Sequence, residues 1–577
     1  MGWTVMKMAG SFLSSALFKF LLTALLGWSA LSGAELLLER PAPVFREPNV
    51  FSRRIDVLPP GRYEVEGEAE RRFSVRHPIA YYAPFFRLEG GTFVSPCVTV
   101  DETSGENIFV PPAGDWRLWA TALAVGLLGA VIFLLVKGKL RKTIPPGSVA
   151  ESLCFILIAV LLRQILLLCE ISFWGNAIPC AADEPGYFKT VADMLRGDFK
   201  GPWNFTIGLG LVYLPFVLLC GARDYYDIAV SFCHFNGLVL GPAVLAAAFL
   251  LLRSFGVGRR CAFAAILVWA VYPFFVYHAE LWKTLTFAPF LAPPCFVDGA
   301  PDWWRFYSVC IHTGFNGMSD TPGLLAVLLT LLLARLAPTD CRGTFFTGLA
   351  YGFCCLLRIN YIFFAPLIAF IWFFRLPERS FLPLLRAAGA ALGGFFLVFG
   401  WQFLINIHHF GNPFTFGYSL HYLDFPPEKR PSTGFTWAIL AELRNVRFLM
   451  GANKLLMAAG IAGLLFLRTR YTRIALTLLA VPLILFFFGY THTYCDARRF
   501  IMAAYPAFIG GFCAALGDCL EAYRAGGRGR FFLPGLLATG VLFRFLPAEI
   551  CALSLLLLLL RALFDLQREV SEVILRK

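Results

Sequence analysis

Charge is what this sequence has least of. Of its 577 residues only 15% are Asp, Glu, Lys or Arg, while 58% are hydrophobic and 16% aromatic. A water-soluble domain carries more polar surface than that. Metal-type spacing is missing as well. The 16 Cys are scattered, many of them inside apolar runs, and no CxxC or Cys/His pattern suggests zinc. They read as small apolar packing residues. No convincing internal repeat is present, although transporters often show one. The net charge of +13 does not point to nucleic acid. Most Lys and Arg lie in short turns between apolar runs, where they set orientation.

What is there is a long series of apolar runs of about 18–22 residues, each able to cross a bilayer. The expected fold class is an all-α polytopic membrane protein with about 12–14 transmembrane helices, because each span must close its own backbone hydrogen bonds. Residues 1–34 carry Lys7, an apolar run from Leu21 and the small-residue triplet Ser32-Gly33-Ala34, and read as a signal peptide or first transmembrane anchor. Residues 35–115 are polar and Pro-rich. Pro59-Pro60-Gly61-Arg62 is a turn signal, and Tyr63 to Gly67 and Arg72 to Arg76 alternate, so a small extracytoplasmic β-domain is expected there. It either packs on the membrane core, the preferred reading, or binds sugar. Residues 116–148 supply a transmembrane helix and a cytoplasmic linker, 149–520 the transmembrane core, and 521–577 C-terminal transmembrane helices with a cytoplasmic tail.

Within the core, spans are expected at about 149–169, 228–252, 261–279, 321–336, 344–359, 361–374, 387–405, 453–467, 474–490 and 500–518, with two more at about 531–545 and 548–561. The apolar stretch 206–219 is short and broken by Gly208, Gly210 and Pro215, so it reads as juxtamembrane or re-entrant. If it crossed, the basic turn Arg253 to Arg260 would lie outside, against the charge rule. Arg163 and Glu170 sit seven residues apart on one helix face and are either functional or a structural pair, the structural reading being preferred.

The stretch Asp183-Glu184-Pro185-Gly186-Tyr187 falls just outside a span, at the start of a short amphipathic helix. Glu184 suits a cap and Pro185 a first turn, and the helix dipole favours charged carboxylates there. Sorting polar residues by side places Asp183, Glu184, Asp320, Arg358, His408, His409, Asp496, Arg498 and Arg499 on the outer face. For any single residue a solvated outer loop is the better explanation, except at the Asp-Glu pair and the Arg pair. A carboxylate can take a proton from an acceptor hydroxyl, while arginines hold a phosphate leaving group. A phosphate at the edge of an apolar bundle implies a lipid phosphate.

These residues also carry a resemblance. Asp183-Glu184-x-x-Tyr187, followed by Ala192-x-Met194-Leu195-x-Gly197, looks like the first outer loop of GT-C glycosyltransferases, which include protein O-mannosyltransferases and lipid A aminoarabinose transferases. Phe255-Gly256-Val257-Gly258-Arg259-Arg260 running on to Pro273, Met318-Ser319-Asp320-Thr321-Pro322, Gly348 to Gly352 with Arg358, Phe410-Gly411-Asn412-Pro413, and Arg498-Arg499-Phe500 with Tyr505-Pro506 resemble later motifs in order. The resemblance covers roughly 149–515 and implies a GT-C-like bundle.

It further implies an inverting glycosyltransferase, hexosyl or pentosyl, that moves a sugar from a polyprenyl-phosphate donor to a lipid, glycan or protein acceptor hydroxyl. The enzyme would sit in the cell (inner) membrane with its active site on the extracytoplasmic side. The implied roles are Asp183 as catalytic base with Glu184 beside it, Asp320 as second acid with Glu280 in competition, and Arg498 or Arg499 with Arg358 on the donor phosphate. Tyr187, His408, His409 and Tyr494 are substrate-lining candidates. The pattern departs from the family where Arg499-Phe500 replaces a frequent Arg-Tyr, which leaves the choice between Arg498 and Arg499 open. No cofactor is required. Paired carboxylates could take a divalent cation, though nothing in the sequence asks for one. The alternatives are a transporter or flippase of lipid-linked glycans, with charges along a path through the bundle, and an O-antigen ligase or polymerase-like enzyme centred on late basic residues.

Overall fold

The computed structural model describes residues 35–38, 42–45, 54–64, 67–68, 79–80, 86–88, 92–94, 98–100, 107–109, 146–173, 178–179, 183–199, 203, 205–222, 225–276, 302–375, 381–417, 446–447, 449, 454–488 and 497–575. The segments expected at 1–34 and 116–136, the strand at Arg72 to Arg76, Glu280, Tyr494 and Asp496 lie outside the described residues.

The helices run α1 Pro146–Phe173, α2 Asp183–Arg196, α3 Ile207–Cys220, α4 Tyr226–His234, α5 Gly241–Ser254, α6 Arg259–Val276, α7 Asp302–Thr313 and α8 Asp320–Leu336. After these come α9 Cys341–Leu357, α10 Ala365–Arg375, α11 Phe381–Phe410, α12 Lys454–Phe466, α13 Arg470–Phe488, α14 Tyr505–Ala525, α15 Phe532–Phe545 and α16 Ala548–Leu575. Among the described residues, five helices are long and apolar enough to cross a membrane: Glu151–Ile171, Ser231–Ser254, Leu382–Phe410, Arg470–Phe488 and Met502–Ala525. The third of these is only 22% buried inside the protein and the fourth 78%, so α11 is peripheral and α13 central. Accordingly α11 turns Leu392, Phe396, Leu397, Trp401 and Leu404 outward. Helix α3, with 14 residues, reaches about 21 Å, short of the roughly 30 Å of a hydrocarbon core.

In lipid there is no water to expel between helices, so close approach depends on small residues. Helices α9 and α11 use them on both sides. A Cβ on Gly348 would strike the Ala391 carbonyl, one on Gly394 the Phe345 carbonyl, and one on Gly352 would lie 2.7 Å from the Phe395 oxygen. The Gly348/Gly352 spacing, read in the sequence as part of a family motif, is thus a helix-packing surface. Gly208 of α3 does the same against the backbone of Leu356 and Leu357, which brings α3 against the end of α9.

The Arg163–Glu170 pairing expected on α1 is not formed. The Arg163 guanidinium is spent on the carbonyls of Gly237 and Thr313 and on the Gln164 side chain. Glu170 lies two turns, about 10 Å, further along the helix, too far to reach it.

The N-terminal strands are short. β1 Glu35–Leu38 pairs with β4 Gly61–Glu64, β9 Val98–Val100 pairs with β10 Asn107–Phe109, and five strands form a sheet in the order β3 Arg54–Leu58, β2 Ala42–Phe45, β8 Phe93–Val94, β7 Phe86–Arg87, β5 Gly67–Glu68. All of these pairs are antiparallel. The turn at Pro59-Pro60 separates β3 from β4, but the two strands join different sheets. Along β4 exposure alternates, with Arg62 and Glu64 outward. One further pair, β6 Ile79–Ala80 with β11 Ile178–Pro179, ties this region to the segment just ahead of Asp183.

Candidate functional site

Helix α2 explains why two adjacent acids part company. Glu184, Tyr187, Phe188 and Val191 are buried and fall on one stripe at three- and four-residue spacing. Asp183, one position earlier, is turned away by about 100°. Glu184 is therefore fully buried, facing the loop before α8: a Cβ on Gly317 would lie 2.7 Å from its Cγ and would run into the Tyr225 hydroxyl. The Asp183 side chain keeps 39% of its surface. Both acids sit in the first turn of α2, and Gly197, at φ 67°, follows its last residue. Glu184 is enclosed in the wall, and Asp183 is the member of the pair that keeps access to solvent.

Asp320 opens α8, so its carboxylate lies at the positive end of a helix. The carboxylate is 2% exposed, and its two oxygens are divided between two arginines. Oδ1 accepts from Arg358 Nη1, and Oδ2 from Arg499 Nε at 2.6 Å. Arg358 stands in the extended break between α9 and the 3-10 turn Ile359–Phe364, at φ −149° and ψ 111°. Arg499 comes from the helical turn Ala497–Phe500. The Phe500 ring lies 5.8 Å from the Arg358 guanidinium carbon and 5.9 Å from that of Arg499, within cation–π range of both.

Arg499 links the buried acid to the exposed one. Its Nη2 stands 3.8 Å from Asp183 Oδ2, a longer and looser contact than the one to Asp320. Four side chains from α2, α8, the α9 break and the turn before α14 thus meet, with two negative and two positive charges. Tyr187 is buried beneath them, its hydroxyl 3.3 Å from Ser319 Oγ. The Tyr213 hydroxyl donates to the Gly317 carbonyl and helps fix the loop that leads into Asp320.

Of the residues singled out in the sequence, Asp183, Asp320, Arg358 and Arg499 come together, with Tyr187 adjoining. Of the two arginines left open, Arg499 contacts both acids, and the Arg498 side chain lies outside the described residues. His408 and His409 belong to another place. His408 Nε2 is 3.2 Å from the Phe199 carbonyl, and the His409 ring packs on Trp203 at 5.1 Å. Trp203 in turn donates to Asp193 at 3.3 Å, near the far end of α2, and Asp193 is about 15 Å along the helix from Asp183. Tyr213 and Gly317 were not foreseen, and Ser319 and Phe500 stood in motifs without a role of their own. Their roles depend on contacts between segments far apart in sequence.

Among the described residues, no three His, Cys, Asp or Glu side chains gather to hold a metal. Both Asp320 oxygens are engaged by guanidinium groups, so a cation there would have to displace an arginine.

No family profile and no curated protein matches the chain. Among solved structures, an archaeal oligosaccharyltransferase, AglB from Archaeoglobus fulgidus in complex with an inhibitory peptide and a dolichol-phosphate, aligns with a TM-score of 0.34 and 14% identity, over 70% of this chain and 56% of that one. The chain thus spans little more than half the length of that protein.

Proposed function

We propose that this chain is a membrane-embedded inverting glycosyltransferase that uses a polyprenyl-phosphate sugar, with Asp183 as the base. The observation that carries the reading is the bridge through Arg499 between a buried, doubly paired Asp320 and an exposed Asp183. Asp320 holds two guanidiniums side by side, and such a pair suits the oxygens of a phosphate. Asp183 takes the proton of the acceptor hydroxyl while the hydroxyl oxygen attacks the anomeric carbon. The bond from that carbon to the phosphate oxygen breaks, and its electrons leave with the polyprenyl phosphate, whose growing charge Arg499 and Arg358 stabilise. Attack opposite the leaving group inverts the anomeric centre. A loose Arg499–Asp183 contact suits this sequence, since the arginine can shift toward phosphate and leave the carboxylate available. Asp320 is then the residue that organises the arginines. No divalent cation enters the scheme.

The same proposal has about 12–14 spans in the cell (inner) membrane, with the site on the extracytoplasmic side; the distribution of basic turns in the sequence supports that orientation. The acceptor is a lipid, glycan or protein hydroxyl. The test is turnover of a radiolabelled polyprenyl-phosphate sugar by the purified protein. Asp183→Asn should lower the rate by about 10²–10⁴-fold, the range of general base catalysis. Equal turnover by the variant removes Asp183 from the mechanism. No consumption of any such donor by the wild type overturns the assignment.

A further inference from the structure

The helical run from Tyr226 to Ser254 is interrupted by a π segment, Phe235–Leu240. A π turn disturbs the regular ladder, and in an apolar bundle the groups it frees need other partners. Helix α1 supplies them. Arg163 Nη1 donates to the Gly237 carbonyl at 3.0 Å, and Gln164 Nε2 donates to the Leu238 carbonyl at 3.0 Å. Gln164 Oε1 accepts from the same Arg163 nitrogen at 2.7 Å and steadies the guanidinium. Arg163 is 4% exposed within an apolar helix, an expensive place for a charge. Lipid packing alone would be served by leucine.

The other end of the guanidinium shows what it holds. Nη2 donates to the carbonyl of Thr313, the last residue of α7. Gly314 follows at φ 80°, and the loop then runs through Gly317 and Ser319 into Asp320. The π segment grips this loop a second time, since Asn236 Nδ2 donates to the Asn316 carbonyl at 2.8 Å. Within the loop, Asn316 Nδ2 donates to the Cys310 carbonyl at 3.1 Å, and Asn316 Oδ1 accepts from the Met318 amide at 2.7 Å. Gly241 is shaped to the arrangement: a Cβ there would push into the Arg163 guanidinium.

We infer that Arg163 is a positioning residue. Through the π segment it fixes the Gly314–Asp320 loop, and so the height at which Asp320 presents Arg358 and Arg499. Its consequence for turnover rests on the function proposed above; its hold on the loop does not. A displacement of about 1 Å in a reacting group can cost about 10²-fold in rate, even when the mutation is remote.

Two variants test this in the full-length protein in lipid nanodiscs. Arg163→Gln removes the grip, and Gly241→Ala keeps the arginine but crowds it off its carbonyls. In both, amides of residues 314–320 should exchange hydrogen about tenfold faster than in the wild type. Turnover of the polyprenyl-phosphate sugar should show kcat lowered by about 10–100-fold with the donor KM nearly unchanged. Arg163→Lys should restore part of both. The double variant should be no worse than Arg163→Gln, because both changes break one contact. Unchanged exchange in folded Gly241→Ala overturns the inference, as does faster exchange with unchanged kcat. Should Arg163→Gln fail to fold, Gly241→Ala carries the same decision. If the wild type consumes no donor, the enzymatic reading falls, and the exchange result alone still decides whether Arg163 holds the loop.

Discussion

Asp320→Asn keeps the shape of the side chain and removes its charge, and the consequence can be worked out from its two partners. The carboxylate is 2% exposed, while the Arg358 and Arg499 side chains are 10% and 11% exposed. Removing one partner of a buried pair costs about 3–5 kcal/mol, because the charge left behind is neither solvated nor paired. Here two guanidiniums are left together. The amide oxygen of Asn still accepts one hydrogen bond, which recovers about 1 kcal/mol. The expected loss is therefore about 2–4 kcal/mol or more. Asp183→Asn is the control. With 39% of its side chain exposed and a 3.8 Å contact, its pairing is worth about 0–1 kcal/mol. Equilibrium unfolding in mild detergent measures both. A double-mutant cycle between Asp320→Asn and Arg358→Gln should give a coupling of about 2–3 kcal/mol, against less than about 1 kcal/mol for Asp183→Asn with Arg499→Gln. A stability change below about 1 kcal/mol for Asp320→Asn would refute the reasoning, since the arginines would then draw their stability from other partners.

Two further outcomes are expected. Gly394→Leu places a side chain where the Phe345 carbonyl already lies and should force α9 and α11 apart, at a cost of about 1–3 kcal/mol read as an earlier thermal transition; the exposed Trp401→Ala on the same helix serves as the neutral comparison. Treatment with a chelator should leave turnover within about twofold, because the two arginines already occupy the carboxylate a cation would use; a rate restored only by added divalent ion would contradict the arginine-based mechanism.

Much of the candidate site was legible because charged residues are rare in an apolar chain. With 15% charged residues, an Asp or Arg outside the basic turns stands out, and Asp183, Asp320, Arg358 and Arg499 were each marked that way. Their company was harder to read. His408 and His409 share the same outer-loop signature, yet they pack on Phe199 and Trp203 at the far end of α2. Asp183 and Glu184 read as base and cap; that helical rotation sends Glu184 into the wall and Asp183 toward the surface was not legible. Arg163 read as a partner of Glu170 because only its own helix was in view; its carbonyl partners come from residues 74 and 150 positions away.

The sequence by itself determined the class of the chain, the apolar helices and the short list of charged residues that chemistry could use. Those properties are local: hydrophobic length, turn residues and side-chain type can be read one window at a time. The tertiary structure decided which charges meet, that Asp320 binds Arg358 and Arg499, that Arg499 touches both acids, and that a π segment braced by Arg163 holds the loop leading to Asp320. Such contacts join residues far apart in sequence, Arg499 to Asp320 across 179 positions and to Asp183 across still more. They depend on how helices rotate and pack, which no single stretch of sequence encodes.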